Sequence, residues 1–148
     1  MDVHEAENQP AAENLLYLPT LAELIDRLTV DQIKEVLIAK NKASYAEEMK
    51  CIEHDIDQII QEKNIQLSAH LLRYVIILAQ FNLHIWYNKD KMREDPEHYA
   101  ELLTMAHQLN GIRNRMKNLI MEESGDRQPS ARHTNVNTDG LQGWDVSV

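Results

Sequence analysis

The chain has a single cysteine, Cys51, so it cannot form an intrachain disulfide, and a reducing cytoplasm is its expected setting. Only four glycines and four prolines occur among 148 residues, most of them in the terminal segments. An interior so poor in turn formers favours long helices over a sheet. The longest apolar run, Val75-Ile-Ile-Leu-Ala79, is far too short to span a bilayer. The start, Met1-Asp-Val-His-Glu, lacks the basic and apolar regions of a secretion signal. No basic run offers charges to displace counterions from phosphates, and the formal net charge is −9. Neither a nucleic acid nor a membrane is therefore expected as a partner, and the acidic balance reads first as a solubilising surface.

What is present is helical periodicity. Thr20-Leu-Ala-Glu23 has the form of a capping box and opens a helix with Leu21, Leu24, Ile25 and Leu28 on one face. The stripe then slips to Ile33, Val36 and Leu37. Thr29-Val-Asp-Gln32 resembles a second capping box at that slip, which predicts a kink or short break. Ser44-Tyr-Ala-Glu47 predicts the start of a second helix running through Met49, Ile52, Ile56, Ile59 and Ile60. A third is expected from about Ser68 to Arg93, nearly 40 Å long at about 1.5 Å per residue. Asp95-Pro96 is a strong start for a fourth, and Gly125 is well placed to end it.

These elements predict an all-α fold, an antiparallel bundle of four main helices over residues 19–124. An acidic arm, residues 1–18, would precede it. A polar tail, residues 125–148, would follow. The tail's composition reads as disordered, with Trp144 and Val146 as apolar anchors for docking on a neighbour or partner. Long helices with continuous apolar faces also suggest a homo-oligomer with cyclic symmetry.

The third helix carries an unusual polar seam. Asn82, Trp86 and Asp90 follow at intervals of four residues, with Arg93 three further on; Asn110, Arg113 and Lys117 follow at three and four on the next helix. Such groups on an apolar stripe cost free energy unless they find partners. Arg113 could pair with Asp90 or with Asp26 of the first helix, and Asn82 could bond across to Asn110. One reading is a network that fixes helix register. Another is a pocket in which Trp86 stacks a planar ring, Asn82 and Asn110 read polar edges, and Arg113, Lys117 or Arg93 holds an anion. That chemistry suits a nucleotide-derived small molecule.

Catalytic and metal constellations are not assembled in the sequence. His54-Asp55 matches the dipeptide of metal-dependent phosphohydrolases, but the preceding helix supplies no further His. His84, His98 and His107 lack paired zinc-ligand spacing. The carboxylates Glu47, Glu48, Glu53, Asp55 and Asp57 cluster on one amphipathic helix, as a solvated face does. No cofactor or metal is expected, and the balance leans away from an enzyme.

Three ordered blocks, Glu23-Leu-Ile-Asp-Arg-Leu-Thr29, Asn82-x-x-Ile-Trp86-x-x-x-Asp90-x-x-Arg93 and Asn110-x-x-Arg113, resemble a group of small helical proteins of bacteria and tailed phages whose activity is uncharacterised. That group carries ELIDKLTI, N-x-x-LW-x-x-ED-x-x-R and N-x-x-R blocks, and the similarity spans roughly residues 21–122. Lys89 stands where the group usually has an acidic residue before the Asp, so no carboxylate pair forms at that position. The resemblance implies a helical fold and a phage or bacterial cytoplasmic origin. Three functions are consistent with these observations. One is a non-enzymatic binder that sequesters a nucleotide-derived host immune signal, an anti-defence role by analogy. The second is an interaction protein whose seam only sets register. The third is a nucleotide hydrolase.

Overall fold

The computed structural model describes residues 18–126, 144 and 146–148. Residues 1–17 and most of the polar tail, on which the arm and part of the tail were expected, lie outside these. Four helices make up the fold: α1 (Leu21–Leu37), α2 (Lys42–Glu62), α3 (Ala69–Glu94) and α4 (Tyr99–Ser124). The described residues contain no strand. None of these helices is long and apolar enough to cross a membrane.

Local chemistry explains most boundaries. Thr20 Oγ1 accepts the Glu23 amide at 3.2 Å, and Ser68 Oγ accepts the Leu71 amide at 3.0 Å, so both helices begin at side-chain caps. Gly125 ends α4 in the left-handed region at φ 69°, the conformation a glycine adopts without a Cβ penalty.

Three expectations need correcting. α1 runs through Thr29 without a break, because Thr29 Oγ1 donates to the Asp26 carbonyl at 2.7 Å and the Gln32 amide side chain turns to Glu35. Both groups of the supposed capping box are thus spent inside a continuous helix. α2 begins at Lys42, after a short 3-10 turn over Ala39–Asn41, and Ser44 lies in its first turn. Pro96 opens a 3-10 turn, Pro96–His98, with α4 starting at Tyr99; Asp95 Oδ2 meets His98 Nδ1 at 2.7 Å and caps no amide.

α3 and α4 pack most extensively and form a hairpin. Asn88 near the turn donates to the Leu102 carbonyl at 2.9 Å, and Ser68 at the far end donates to Glu123 at 2.7 Å. α1 lies against both, burying Leu21 and Ala22 with Leu78, Phe81, Leu109, Met116 and Ile120. α2 packs its backbone on α1 alone, and its Ile56 and Ile59 side chains reach the common core. This differs from an evenly shared four-helix bundle: α2 is an outer layer carried by α1.

Two long-range ties close the assembly. Asp126, buried just past α4, accepts the Leu21 amide at 2.6 Å and the Lys63 ammonium. A carboxylate at the start of α1 satisfies an orphan amide and complements the helix dipole. The last described residues dock on the chain's own α3 and α4. Trp144 meets Phe81 and His84 edge-on at 5.8 and 4.4 Å, and Val146 and Val148 pack against the core. Arg73 donates to the Ser147 carbonyl and hydroxyl at 3.0 and 2.7 Å, and Arg115 donates to the Val148 carbonyl.

Candidate functional site

The polar seam centres on Asp26 of α1. Its carboxylate is buried and accepts the Arg113 guanidinium through Nε at 2.9 Å and through Nη2, the planar two-pronged geometry arginine favours. Asn82 of α3 donates to Oδ1 at 2.9 Å and also to Thr29 Oγ1 at 2.7 Å. Lys117, one turn beyond Arg113 on α4, lies 3.3 Å from Oδ2 with a side chain only 4% exposed. Three helices thus converge on one carboxylate.

The electrostatics follow from this geometry. Burial alone would raise the Asp26 pKa, but hydrogen bonds from Arg113 and Asn82 and the charges of Arg113 and Lys117 outweigh it. The carboxyl is held below its ordinary range. Arg113, 28% exposed, reaches from this carboxylate toward the surface.

Of the residues singled out from the sequence, the structure brings together Asp26, Asn82, Arg113 and Lys117. Asn110 joins through Arg113 Nη1, which it accepts at 3.2 Å, and is exposed; it does not bond to Asn82 as expected. Asp90 pairs with Arg93 on the same helix at 2.6 Å at the surface, and not with Arg113. Two turns of α3 separate Asp90 from Asn82, about 12 Å along the axis. Trp86 is half-buried between them. The proposed ring-stacking and anion-holding groups therefore fall into two clusters.

Asp31 is a buried acid that sequence reasoning assigned to a helix break. Its side chain is fully buried, and neither oxygen accepts a hydrogen bond. Arg27 Nε lies 3.5 Å away, while Arg27 gives its close bonds, 3.0 and 2.7 Å, to Glu48 of α2. Burial, then the charge of Glu48, pushes the Asp31 pKa up, and Arg27 and Lys34 offset this only in part. Protonated, Asp31 can donate to Glu48. Its position seven residues after Leu24, on the same helix face, was the available signal.

Among the described residues, no three His, Cys, Asp or Glu side chains converge to hold a metal ion. A groove between α1, α2 and α3 is lined by Leu28, Thr29, Ile33, Met49, Ala79 and Leu83. Its lining does not include Arg113, Lys117 or Asn82. No protein-family model, curated protein or solved structure matches the chain.

Proposed function

We propose that this chain is a helical interaction protein, in which the Asp26 network fixes α1 against α3 and α4 while the surface engages protein partners. The observation that carries this reading is that Asp26 is already saturated. Arg113, Lys117, Asn82 and Thr29 all bond to it or to its neighbour, and no buried side-chain oxygen or nitrogen of the four lacks a partner. A ligand anion at Arg113 and Lys117 would have to displace a buried carboxylate, and losing such a partner costs about 3–5 kcal/mol. Buried polar groups matched in this way suit register specification, since a slip of α1 would break every one of these bonds.

The surface supports the second half of the reading. Leu67, Val36, Ile76 and Leu72 are each at least half exposed, with Leu67 at 78%. Leu72 and Ile76, one turn apart on α3, share a face, and adjoining exposed apolar groups suit a contact surface.

Native mass spectrometry of the protein purified from its expression host tests the proposal, followed by denaturing release. The expected mass is that of the chain or a whole multiple of it. A stoichiometric small molecule, released on denaturation and lost in a folded Arg113→Ala variant, would overturn the register reading in favour of a binding pocket.

A further inference from the structure

We infer that the face of α3 and α4 around Phe81 is a peptide-recognition site for an extended segment, one with an aromatic residue followed by β-branched residues at every second position. The chain's own Trp144, Val146 and Val148 are its displaceable intramolecular occupant. The inference deepens the interaction reading above and rests on it for the premise that a protein partner exists.

The seated residues show what the site reads. Trp144 lies edge-on to Phe81 and His84, with ring centroids 5.8 and 4.4 Å apart, a geometry that aromatic pairs favour. Val146 and Val148 pack against the core and are partly buried, while Ser147 between them is exposed. Alternate side chains therefore face the helices, as they do in an extended segment. The main chain is held as well. Arg73 of α3 donates to the Ser147 carbonyl at 3.0 Å and to its hydroxyl at 2.7 Å, and Arg115 of α4 donates to the Val148 carbonyl. Every peptide offers carbonyls, so the arginines supply binding without reading sequence, and the ring and valine contacts supply the choice.

Three observations make the occupant displaceable. Arg73 and Arg115 are exposed, so their bonds to the segment compete with water. A cleft remains between α3 and the segment, bounded by Ile76, Gln80 and Phe81 on one side and by Trp144, Val146 and Ser147 on the other, so the fit is incomplete. The α3–α4 hairpin is closed at both ends by bonds that do not involve the segment, Asn88 to Leu102 and Ser68 to Glu123. A partner segment that fills the cleft can thus replace the occupant without unfolding the helices. The same segment of a second copy is a poor competitor. It offers identical contacts at its bulk concentration, whereas the tethered segment acts at an effective concentration on the order of millimolar.

Fluorescence anisotropy of a fluorescein-labelled peptide of residues 142–148, titrated with the full chain, tests this alongside sedimentation equilibrium. Trp144→Ala, folded by circular dichroism, removes the aromatic anchor and opens the site. It should bind the peptide at least about tenfold more tightly than the wild type, the factor that an effective concentration on the order of 1 mM imposes on a contact of about 0.1 mM affinity. Adding Arg73→Ala and Arg115→Ala, both at exposed positions, should weaken that binding again by at least about tenfold. The wild type should sediment as a monomer. Equal binding by the wild type and Trp144→Ala, or binding that the arginine substitutions leave unchanged, would overturn the proposal. So would a wild-type dimer that Trp144→Ala dissociates, since the occupant would then be a neighbouring copy's segment. Any of these results would leave the register reading intact, because that reading stands or falls on bound small molecules at Arg113.

Discussion

Asp26 and Asp31 occupy successive turns of α1, yet their surroundings drive their protonation in opposite directions. Asp26 faces Arg113, Asn82 and Lys117, which lower its pKa against the effect of burial. Asp31 is fully buried toward α2, where burial and the charge of Glu48 raise its pKa. One helix thus carries an acid kept charged and an acid pressed toward neutrality.

This pair makes a pH prediction of definite sign. Asp26, with a folded pKa below the ordinary 3.8, stabilises the fold above that value, and the contribution is lost as pH falls through the lowered pKa. Asp31, with a folded pKa above 3.8, contributes below that value, and its contribution is lost as pH rises through the raised pKa. Urea unfolding from acid to neutral pH should therefore show Asp31→Asn removing the decline on the rising side. At neutral pH that variant should gain about 1 kcal/mol, because its amide can donate to Glu48 as the protonated acid does. A flat difference between wild type and variant over the whole range would refute the assignment.

Breaking the Asp26 network should cost far more than exchanging it. Asp26→Ala removes the carboxylate that the part-buried Arg113 and the buried Lys117 share and should lose about 3–5 kcal/mol in denaturant unfolding. Replacing the group together, by Asp26→Leu, Asn82→Leu and Lys117→Met with Arg113→Met, should recover most of that loss. What the combined variant should lack is uniqueness of register, read as broadened amide resonances in NMR spectra. Sharp spectra from a stable combined variant would deny the network its register role.

Asp126 should matter out of proportion to its place after the last helix. Asp126→Ala removes the acceptor for the Leu21 amide and the Lys63 ammonium, with an expected loss of about 1–2 kcal/mol, the range for a helix cap. Hydrogen exchange should locate the effect at the start of α1, remote in sequence from the substitution. Gly125→Ala should cost about 1 kcal/mol, from the positive φ alone, since a Cβ there meets no atom within 4 Å.

The docked tail has an optical signature. Trp144 lies edge-on to His84 at 4.4 Å and to Phe81 at 5.8 Å, so in a Trp86→Phe background its emission should lie to the blue of free indole. Phe81→Ala should move that emission toward the solvent-exposed value. Solvent-like emission from the Trp86→Phe protein itself would show that Trp144 does not rest there in solution.

Much of the helix arrangement was legible because its signals are local. The cap at Thr20, the helix start near Ser68 and the stop at Gly125 are read from a few adjacent residues, and all three stand where they were expected. The break at Thr29 was misread because a capping box and a mid-helix threonine share one pattern. Only the partner of the hydroxyl, here the Asp26 carbonyl, distinguishes them. That misreading also removed Asp31 from the α1 stripe and hid the buried acid. The pairing of Asp26 with Arg113 was one of two options in the sequence, and the packing of α1 on α4 decided it. The Asp126 tie and the tail contacts depend on positions far apart in sequence, where no local pattern speaks.

The bond between the Leu21 amide and Asp126 spans 105 positions, and Asp26 likewise waits for Arg113 and Lys117. As the chain leaves the ribosome, α1 and α2 emerge before α4, with a carboxylate on α1 whose counter-charges are not yet made. That early hairpin has no stable resting state of its own, because desolvating Asp26 before α4 exists is a net cost. Although it is synthesised before α4, α1 is therefore locked only once α4 is present, and a nascent chain truncated before Arg113 should be a ready substrate for proteases. Ribosome-stalled chains of increasing length should become protease-resistant in one late step, when α4 has cleared the exit tunnel.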